Sequence, residues 1–337
     1  MKRSLLATLG VSAWLLLGCS GKQYFEAPKS YDAPAVATTT YQSTIVDLSR
    51  DGATLRDGRY IGKQGVSRQH LGEGYRYLSE NSAYLLAGND AGILKIIDKS
   101  LGESVRSVAL HTPIVSATIH KNTIAYILNN NAFGLYHIKS NKKIMENRAK
   151  RTFAINTRAA SPMFIDNLVA IPTLDGKLIV LDSHNTDNAK VIYLSSEKVF
   201  NNVVHLSRMR NRLIAATAKK VITLGGAEQK EYSANISEVT VAGGFVYLFT
   251  IEGEVIKLDR ELRELKSKRF KYAHFSAATA FDGKIYALDQ TGQLIVLSDD
   301  LTTHKVYDLG TISSPVLMVS KHLYKDGKVI NLASLGL

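Results

Sequence analysis

The chain has 337 residues, a formal net charge of +12, one cysteine and one tryptophan. A single cysteine excludes an intramolecular disulfide, so an exported domain of this sequence must be stabilised by burial alone. No apolar run reaches 18 residues, which excludes a transmembrane helix.

The first region, residues 1–18, is predicted to be a signal peptide. Two basic residues precede the apolar stretch 5–17, which is too short to span a bilayer. The sequence LLGC at 16–19 resembles the bacterial lipobox, which implies cleavage before Cys19 and acylation of its sulfur. Two or three acyl chains anchor a protein stably. The alternative is an ordinary signal peptide whose apolar region contains a cysteine.

The second region, residues 19–44, is predicted to be the acylated cysteine and a flexible tether. It carries Pro28 and Pro34 among Ala, Ser and Thr, without a sustained apolar period. Ser20, rather than aspartate, follows the cysteine, and resemblance to Gram-negative lipoproteins then implies transport to the outer membrane. We therefore expect the remaining domain, residues 45–337, to lie in the periplasm on a lipid anchor.

A repeated seven-residue pattern in residues 45–337 predicts the fold. Seven segments align without gaps, and the third and sixth residues of each are aliphatic throughout. They start 34 to 43 residues apart, the length of one four-stranded propeller blade. A second β-rich run precedes each, often across a turn such as Asp175-Gly176 that suits a tight hairpin. The segments are GILKIID (92–98), FGLYHIK (133–139), GKLIVLD (176–182), KKVITLG (219–225), GEVIKLD (253–259), GQLIVLS (292–298) and GKVINLA (327–333).

These repeats predict an all-β fold, a β-propeller of seven blades, each with four antiparallel strands. An open β-solenoid is the alternative, but the repeat length favours the propeller. We expect an N-terminal strand within 44–62 to pair with the last blade and close the ring, because closure removes exposed edges. Eight blades is the alternative count: Gly58 lies 34 residues before Gly92, although Lys63 then occupies an aliphatic position.

Four short motifs accompany the repeats: DKSLG (98–102), SPMF (161–164), DGKLIVLD (175–182) and SSPV (313–316). They resemble the quinoprotein-like (PQQ-like) propeller repeat. With the lipobox, they make the chain similar to BamB-type outer-membrane lipoproteins, whose propeller assists the machine that inserts β-barrel proteins. The resemblance implies a periplasmic propeller of eight blades and a barrel-assembly partner. The tryptophans that pack between quinoprotein blades are absent, since the only one is Trp14.

The sequence contains no catalytic or cofactor-binding pattern. A bound quinone would usually need calcium ligands and a stacking tryptophan. The nine histidines include no pair four residues apart, and there is no Gly-x-Ser-x-Gly elbow or phosphate loop. We therefore predict that the protein is not an enzyme and holds no cofactor and no metal. A quinoprotein-like enzyme is the remaining alternative.

Three clusters of basic residues are the candidate partner-binding sites. They predict a surface for an acidic protein, an anionic envelope polymer or lipid headgroups, and solvated loops are the alternative. The export signal and the lack of a recognition motif argue against nucleic acid. The residues are Lys139, Lys142, Lys143, Arg148, Lys150 and Arg151, then Arg208, Arg210 and Arg212, then Lys266, Lys268, Arg269 and Lys271.

Together these features predict a monomeric, non-enzymatic scaffold lipoprotein of the outer membrane. The resemblance to BamB-type lipoproteins implies that it assists the assembly of β-barrel proteins through contacts with an envelope protein, and the barrel-assembly machine is the candidate partner. The alternative from another class is a surface-exposed lipoprotein that binds a host protein or an anionic glycan through its basic residues.

Overall fold

A computed structural model describes residues 23–34, 38–150, 152, 158–196, 200–225 and 229–337. The predicted signal peptide, the predicted lipidation site Cys19 and the candidate residue Arg151 lie outside this described part. Within it there are 33 strands and one 3-10 turn, Leu332–Ser334.

The first half of the chain contains β1 and β2 and then four blades of four strands each. The strands are β1 (Tyr31–Asp32) and β2 (Thr38–Thr40); blade 1 with β3 (Ile45–Leu48), β4 (Ala53–Leu55), β5 (Arg59–Gly62) and β6 (Gly65–His70); blade 2 with β7 (Arg76–Glu80), β8 (Tyr84–Gly88), β9 (Ile93–Asp98) and β10 (Glu103–Ala109); blade 3 with β11 (Ile114–His120), β12 (Thr123–Leu128), β13 (Ala132–His137) and β14 (Lys142–Arg148); and blade 4 with β15 (Met163–Ile165), β16 (Leu168–Pro172), β17 (Lys177–Asp182) and β18 (Lys190–Tyr193).

The second half contains the other four blades. They are blade 5 with β19 (His205–Met209), β20 (Arg212–Ala216), β21 (Lys220–Leu224) and β22 (Lys230–Ser233); blade 6 with β23 (Ile236–Ala242), β24 (Phe245–Thr250), β25 (Glu254–Leu258) and β26 (Glu264–Arg269); blade 7 with β27 (Phe275–Phe281), β28 (Lys284–Asp289), β29 (Gln293–Ser298) and β30 (His304–Asp308); and blade 8 with β31 (Leu317–Val319), β32 (His322–Lys325) and β33 (Lys328–Asn331).

The blades form a closed eight-bladed β-propeller. Within each blade, successive strands pair antiparallel, and the first strands of the blades line a central channel. Eight apolar clusters hold the ring together, one between each pair of neighbouring blades, including the pair of blade 8 and blade 1. The repeat supplies these clusters, because twelve of its fourteen aliphatic residues are buried. The all-β propeller prediction is thus confirmed.

The predicted count of seven blades is wrong, and the alternative of eight is correct. The missed repeat is blade 1, whose third strand, β5, ends at Gly62. Lys63, at the position that is aliphatic in the other repeats, therefore lies beyond the strand and is exposed. Tyr60 occupies the third position of the pattern, which is aliphatic in the other repeats. Its ring is buried and stacks on Tyr77 of blade 2, with ring centroids 5.4 Å apart.

An N-terminal strand closes the ring, but it is not the predicted one. Residues 44–62 form most of blade 1, and β2 supplies the outer strand of blade 8 instead. It runs antiparallel to β33, with Thr38 opposite Ile330 and Thr40 opposite Lys328. The backbone N–H of Tyr41 then donates to the carbonyl of Gly327 at 2.8 Å.

The segment predicted as a flexible tether packs on the propeller over its described part. Phe25 is buried and meets Phe270 edge to face, with ring centroids 5.9 Å apart. Farther along, β1 adds a fifth strand to blade 7 by pairing in parallel with β30. Aromatic residues at intervals provide these contacts, although the segment has no regular apolar period.

Candidate functional site

The first basic cluster lies on the outer rim of blade 3. Lys142, Lys143 and Arg148 belong to the outer strand β14, and all three are exposed. Among them, Lys143 pairs with Glu146 at 2.9 Å. Burial opposes ionisation of Glu146, but hydrogen bonds from Tyr126 and Lys143 outweigh it and lower its pKa. Lys139 and Lys150 flank the strand and are also exposed, so the rim of blade 3 remains positively charged.

The basic cluster of residues 266–271 lies on the outer rim of blade 6, next to blade 7. It comprises Lys266, Lys268 and Arg269 of β26, and Lys271 beyond its end. Lys268 Nζ donates to the carbonyl of Thr302 at 3.2 Å, and its charge adds to burial in lowering the pKa of His304. This cluster therefore extends across the boundary between two blades.

The basic cluster of residues 208–212 is separate from both and lies on the hairpin of the two inner strands of blade 5. Arg208 Nε donates to the carbonyl of Arg210 at 2.8 Å, within the turn. Arg212 pairs with Glu261 of blade 6 at 2.6 Å. The structure therefore divides the predicted residues among three places, and only the clusters of blades 3 and 6 lie on outer strands.

Exposed apolar side chains occupy the outer rims of blades 2 to 4, beside the basic rim of blade 3. Val105, Ile144 and Val191 each project from an outer strand, and Leu101 and Tyr193 are both 68 % exposed. These exposed apolar residues were not predicted from the sequence. Apolar residues in otherwise polar fourth strands were the available signal, because β10 and β14 are exposed along most of their length.

A group of charged side chains crosses the central channel. Glu238 of β23 accepts hydrogen bonds from Arg50 at 3.2 Å and from Arg158 at 2.8 Å, one on each carboxylate oxygen. Arg158 also donates to the carbonyl of Val316 in the link to blade 8, at 2.9 Å. Together, these three charged side chains form a channel plug that joins distant parts of the ring. The channel plug was not predicted from the sequence, because its members lie 80 residues or more apart.

On one side of the channel plug lies a cavity of about 490 Å³. Burial, reinforced by the charge of Arg50, lowers the pKa of His205 to about 3, which leaves this cavity-lining imidazole neutral. Burial raises the pKa of Asp51 against the opposing charges of Lys63 and Arg50. Thr118 Oγ1 is buried on the cavity wall without a hydrogen-bond partner among the described residues. The cavity is polar and has the dimensions to hold solvent or a small polar molecule.

Two further classes of site are absent from the part of the chain that the structure describes. No three His, Cys, Asp or Glu residues in it are arranged to hold a metal ion. None of its helices has the length and apolar character needed to cross a bilayer.

No protein-family model matches the chain. Two relatives are the plasminogen-binding proteins PgbB of two Helicobacter pylori strains, which are 27% and 26% identical over 91% of this chain. The chain spans 65% of the length of each, which is less than two thirds.

Solved structures with very different names share the propeller fold. BamB from Moraxella catarrhalis matches with a TM-score of 0.69 at 16% identity, over 87% of this chain and 98% of that chain. The C-terminal WD40 domain of Sif2 matches with a TM-score of 0.64 at 13% identity, over 87% and 98%. Sqt1 of Saccharomyces cerevisiae gives 0.63 at 11% identity, over 91% and 98%. At these identities the matches establish a BamB-like propeller fold and leave the function open.

Proposed function

We propose that this chain is a non-enzymatic, lipid-anchored binding protein of the bacterial envelope that assists the assembly of outer-membrane β-barrel proteins. The observation that carries the proposal is the match to BamB, which covers 87% of this chain and 98% of that chain. The lipobox at Cys19 supports export and anchoring. A rigid ring with exposed loops and rims suits a protein that acts by contact.

The partner-binding surface that we assign is the outer rim of blades 2 to 4. Its exposed apolar residues, among them Ile144 and Tyr193, would contribute buried area on binding. The lysines of β14 would orient an acidic partner and raise the rate of encounter. The expected partner is a periplasmic protein surface with apolar groups and negative charge.

Crosslinking in cells followed by affinity purification and mass spectrometry tests this function. The native protein would be compared with Cys19→Ala, and with a rim variant that combines Ile144→Gln and Tyr193→Ser. The matched control is Leu265→Gln, which removes a similarly exposed side chain (52 %) from blade 6. We expect barrel-assembly proteins with the native form and the control, and a loss with the other two. Their absence from the native sample would refute the barrel-assembly role.

The similarity to PgbB favours a second candidate, a surface lipoprotein that binds host plasminogen. Protease treatment of intact cells separates the two, because a surface protein is cleaved and a periplasmic one is protected. In parallel, the purified protein would be tested for plasminogen binding, with the blade 3 variant Lys142→Gln, Lys143→Gln, Arg148→Gln beside it. Cleavage and binding that weakens in this variant would support the second candidate over the first.

A further inference from the structure

A basic groove of about 630 Å³ lies on the outer rim where the N-terminal segment crosses blades 6 and 7. Four basic side chains line it, Lys29, Arg269, Lys271 and Lys305, against one acidic side chain, Glu26. The N-terminal segment supplies Lys29, blade 6 and the link after it supply two more, and blade 7 supplies Lys305. The groove is therefore assembled from three stretches that are distant in the sequence.

Aromatic rings hold the lysines of this groove in place. Lys29 Nζ and Lys305 Nζ lie 4.8 and 4.5 Å from the ring centroid of Tyr31, so both contact the same ring. Cations over a ring face keep their charge and remain available to an anion. No carboxylate of the described residues forms an ion pair with Lys29, Arg269 or Lys271. With four basic side chains against one acidic side chain, the groove has a net positive charge.

The groove also lies close in the chain to the predicted lipid anchor. Phe25, which is buried against blade 6, comes six residues after Cys19. Six residues span at most about 20 Å when fully extended. An acylated Cys19 would therefore keep Phe25, and the part of the rim on which it packs, within about 20 Å of the bilayer surface.

From this geometry we propose that the basic groove docks on anionic phospholipid headgroups of the membrane that carries the anchor. The propeller is then oriented with blades 6 and 7 against the bilayer. This inference rests on the lipid attachment in the proposed function. It adds a second contact to the anchor: each Lys or Arg near an anionic surface strengthens association roughly fivefold.

The inference can be tested with the full-length lipidated protein reconstituted in vesicles. An acylated Cys19 has no free thiol, so a cysteine introduced elsewhere can be labelled uniquely with a fluorophore. Thr303→Cys lies beside the groove, and Ser140→Cys lies at the equivalent turn of blade 3, on the opposite side of the ring. Lipids with a quencher on the headgroup then report which label approaches the membrane.

We expect quenching at position 303, not at 140, in vesicles that contain phosphatidylglycerol, and little at either position with phosphatidylcholine alone. The variant Lys29→Gln, Arg269→Gln, Lys271→Gln should shift the docking equilibrium roughly a hundredfold toward the free state. The matched variant Lys142→Gln, Lys143→Gln, Arg148→Gln, on the basic rim of blade 3, should leave the quenching unchanged. High salt should release the groove, because the screening length falls to about 3 Å at 1 M.

Equal quenching at both positions, quenching at neither, or quenching without dependence on phosphatidylglycerol would overturn the inference. So would mass spectrometry that finds no acyl chain on Cys19. The fate of the proposed function is read separately, from the proteins that crosslink to the native form. A groove variant that loses docking but still recovers a reduced amount of those proteins would support the inference and leave the proposed function intact.

Discussion

The channel plug gives the sharpest test of what holds the ring together. In Glu238→Gln, the charge that offsets Arg50 and Arg158 disappears, while both guanidinium groups stay in the channel. Their side chains are 18 % exposed and that of Glu238 is 11 % exposed, so the group is largely desolvated. Removing one partner of a buried ion pair costs about 3–5 kcal/mol. We expect about 3 kcal/mol here, because glutamine keeps one acceptor oxygen for an arginine.

Thermal unfolding followed by far-ultraviolet circular dichroism measures this loss. For a domain of this size, 1 kcal/mol changes the Tm by roughly 2 °C, so Glu238→Gln should lower it by about 6 °C. The matched control is Glu231→Gln, which removes the partner of Lys220 from a pair with 29 % and 53 % exposed side chains. That change should cost about 1 kcal/mol or less.

The apolar replacement of the whole group provides the decisive comparison. Arg50→Met, Glu238→Leu and Arg158→Met together leave no charge unpaired, so this triple variant should be more stable than Glu238→Gln alone. If Glu238→Gln unfolds at the same temperature as Glu231→Gln, the channel plug does not stabilise the ring and the reasoning is wrong.

Three further changes have expected outcomes. His205 has a pKa of about 3 in the folded state and 6.5 when exposed, so below pH 6.5 the unfolded state binds the proton first. The free energy of unfolding should then fall by up to about 1.4 kcal/mol per pH unit below pH 6.5. In urea unfolding, His205→Gln should remove this pH dependence, whereas His184→Gln, at a 74 % exposed side chain, should not. Burial opposes ionisation of Asp326, but hydrogen bonds from a lysine and two serines lower its pKa to about 2. Asp326→Asn should therefore lower the free energy of unfolding by about 2 kcal/mol at neutral pH. This difference from the native protein should vanish as the pH falls from about 4 to 2. Gly292→Ala places a methyl group against a backbone carbonyl at a φ of +98°, whereas the methyl group of Gly283→Ala, at a φ of +69°, meets open space. The first change should lower the Tm by several degrees more than the second. Equal losses of Tm would refute the clash at Gly292.

The blades were predictable because each is built from local information. A hairpin forms from neighbouring residues. The repeated aliphatic positions, such as Leu94 and Leu135, mark the buried side of the third strand of a blade. Blade 1 escaped the count because its third strand stops at Gly62, one residue before the position that the pattern tests. The error therefore arose where the repeat itself is incomplete.

The closing strand and the channel plug could not be predicted in this way, because both depend on ring closure. Thr38–Thr40 has no apolar period, and its partner, β33, lies about 290 residues away in the chain. Arg50, Arg158 and Glu238 are isolated charges in three different blades or links, and they meet only at the centre of the finished ring. Of the predicted basic residues, those of β14 and β26 lie on outer strands, whereas Arg208 and its neighbours lie on an inner hairpin.

The two proposed surfaces lie on opposite sides of one rigid ring, and this arrangement gives each its own effect. With the groove at blades 6 and 7 against the bilayer, the rim of blades 2 to 4 points away from it, toward proteins of the surrounding compartment. Loss of the anchor at Cys19 would free the whole propeller, whereas loss of the groove charges would only let it rotate on its anchor. Partner capture should therefore fall steeply in Cys19→Ala, less in the groove variant, and again steeply in the rim variant, which keeps the orientation but lacks the contact.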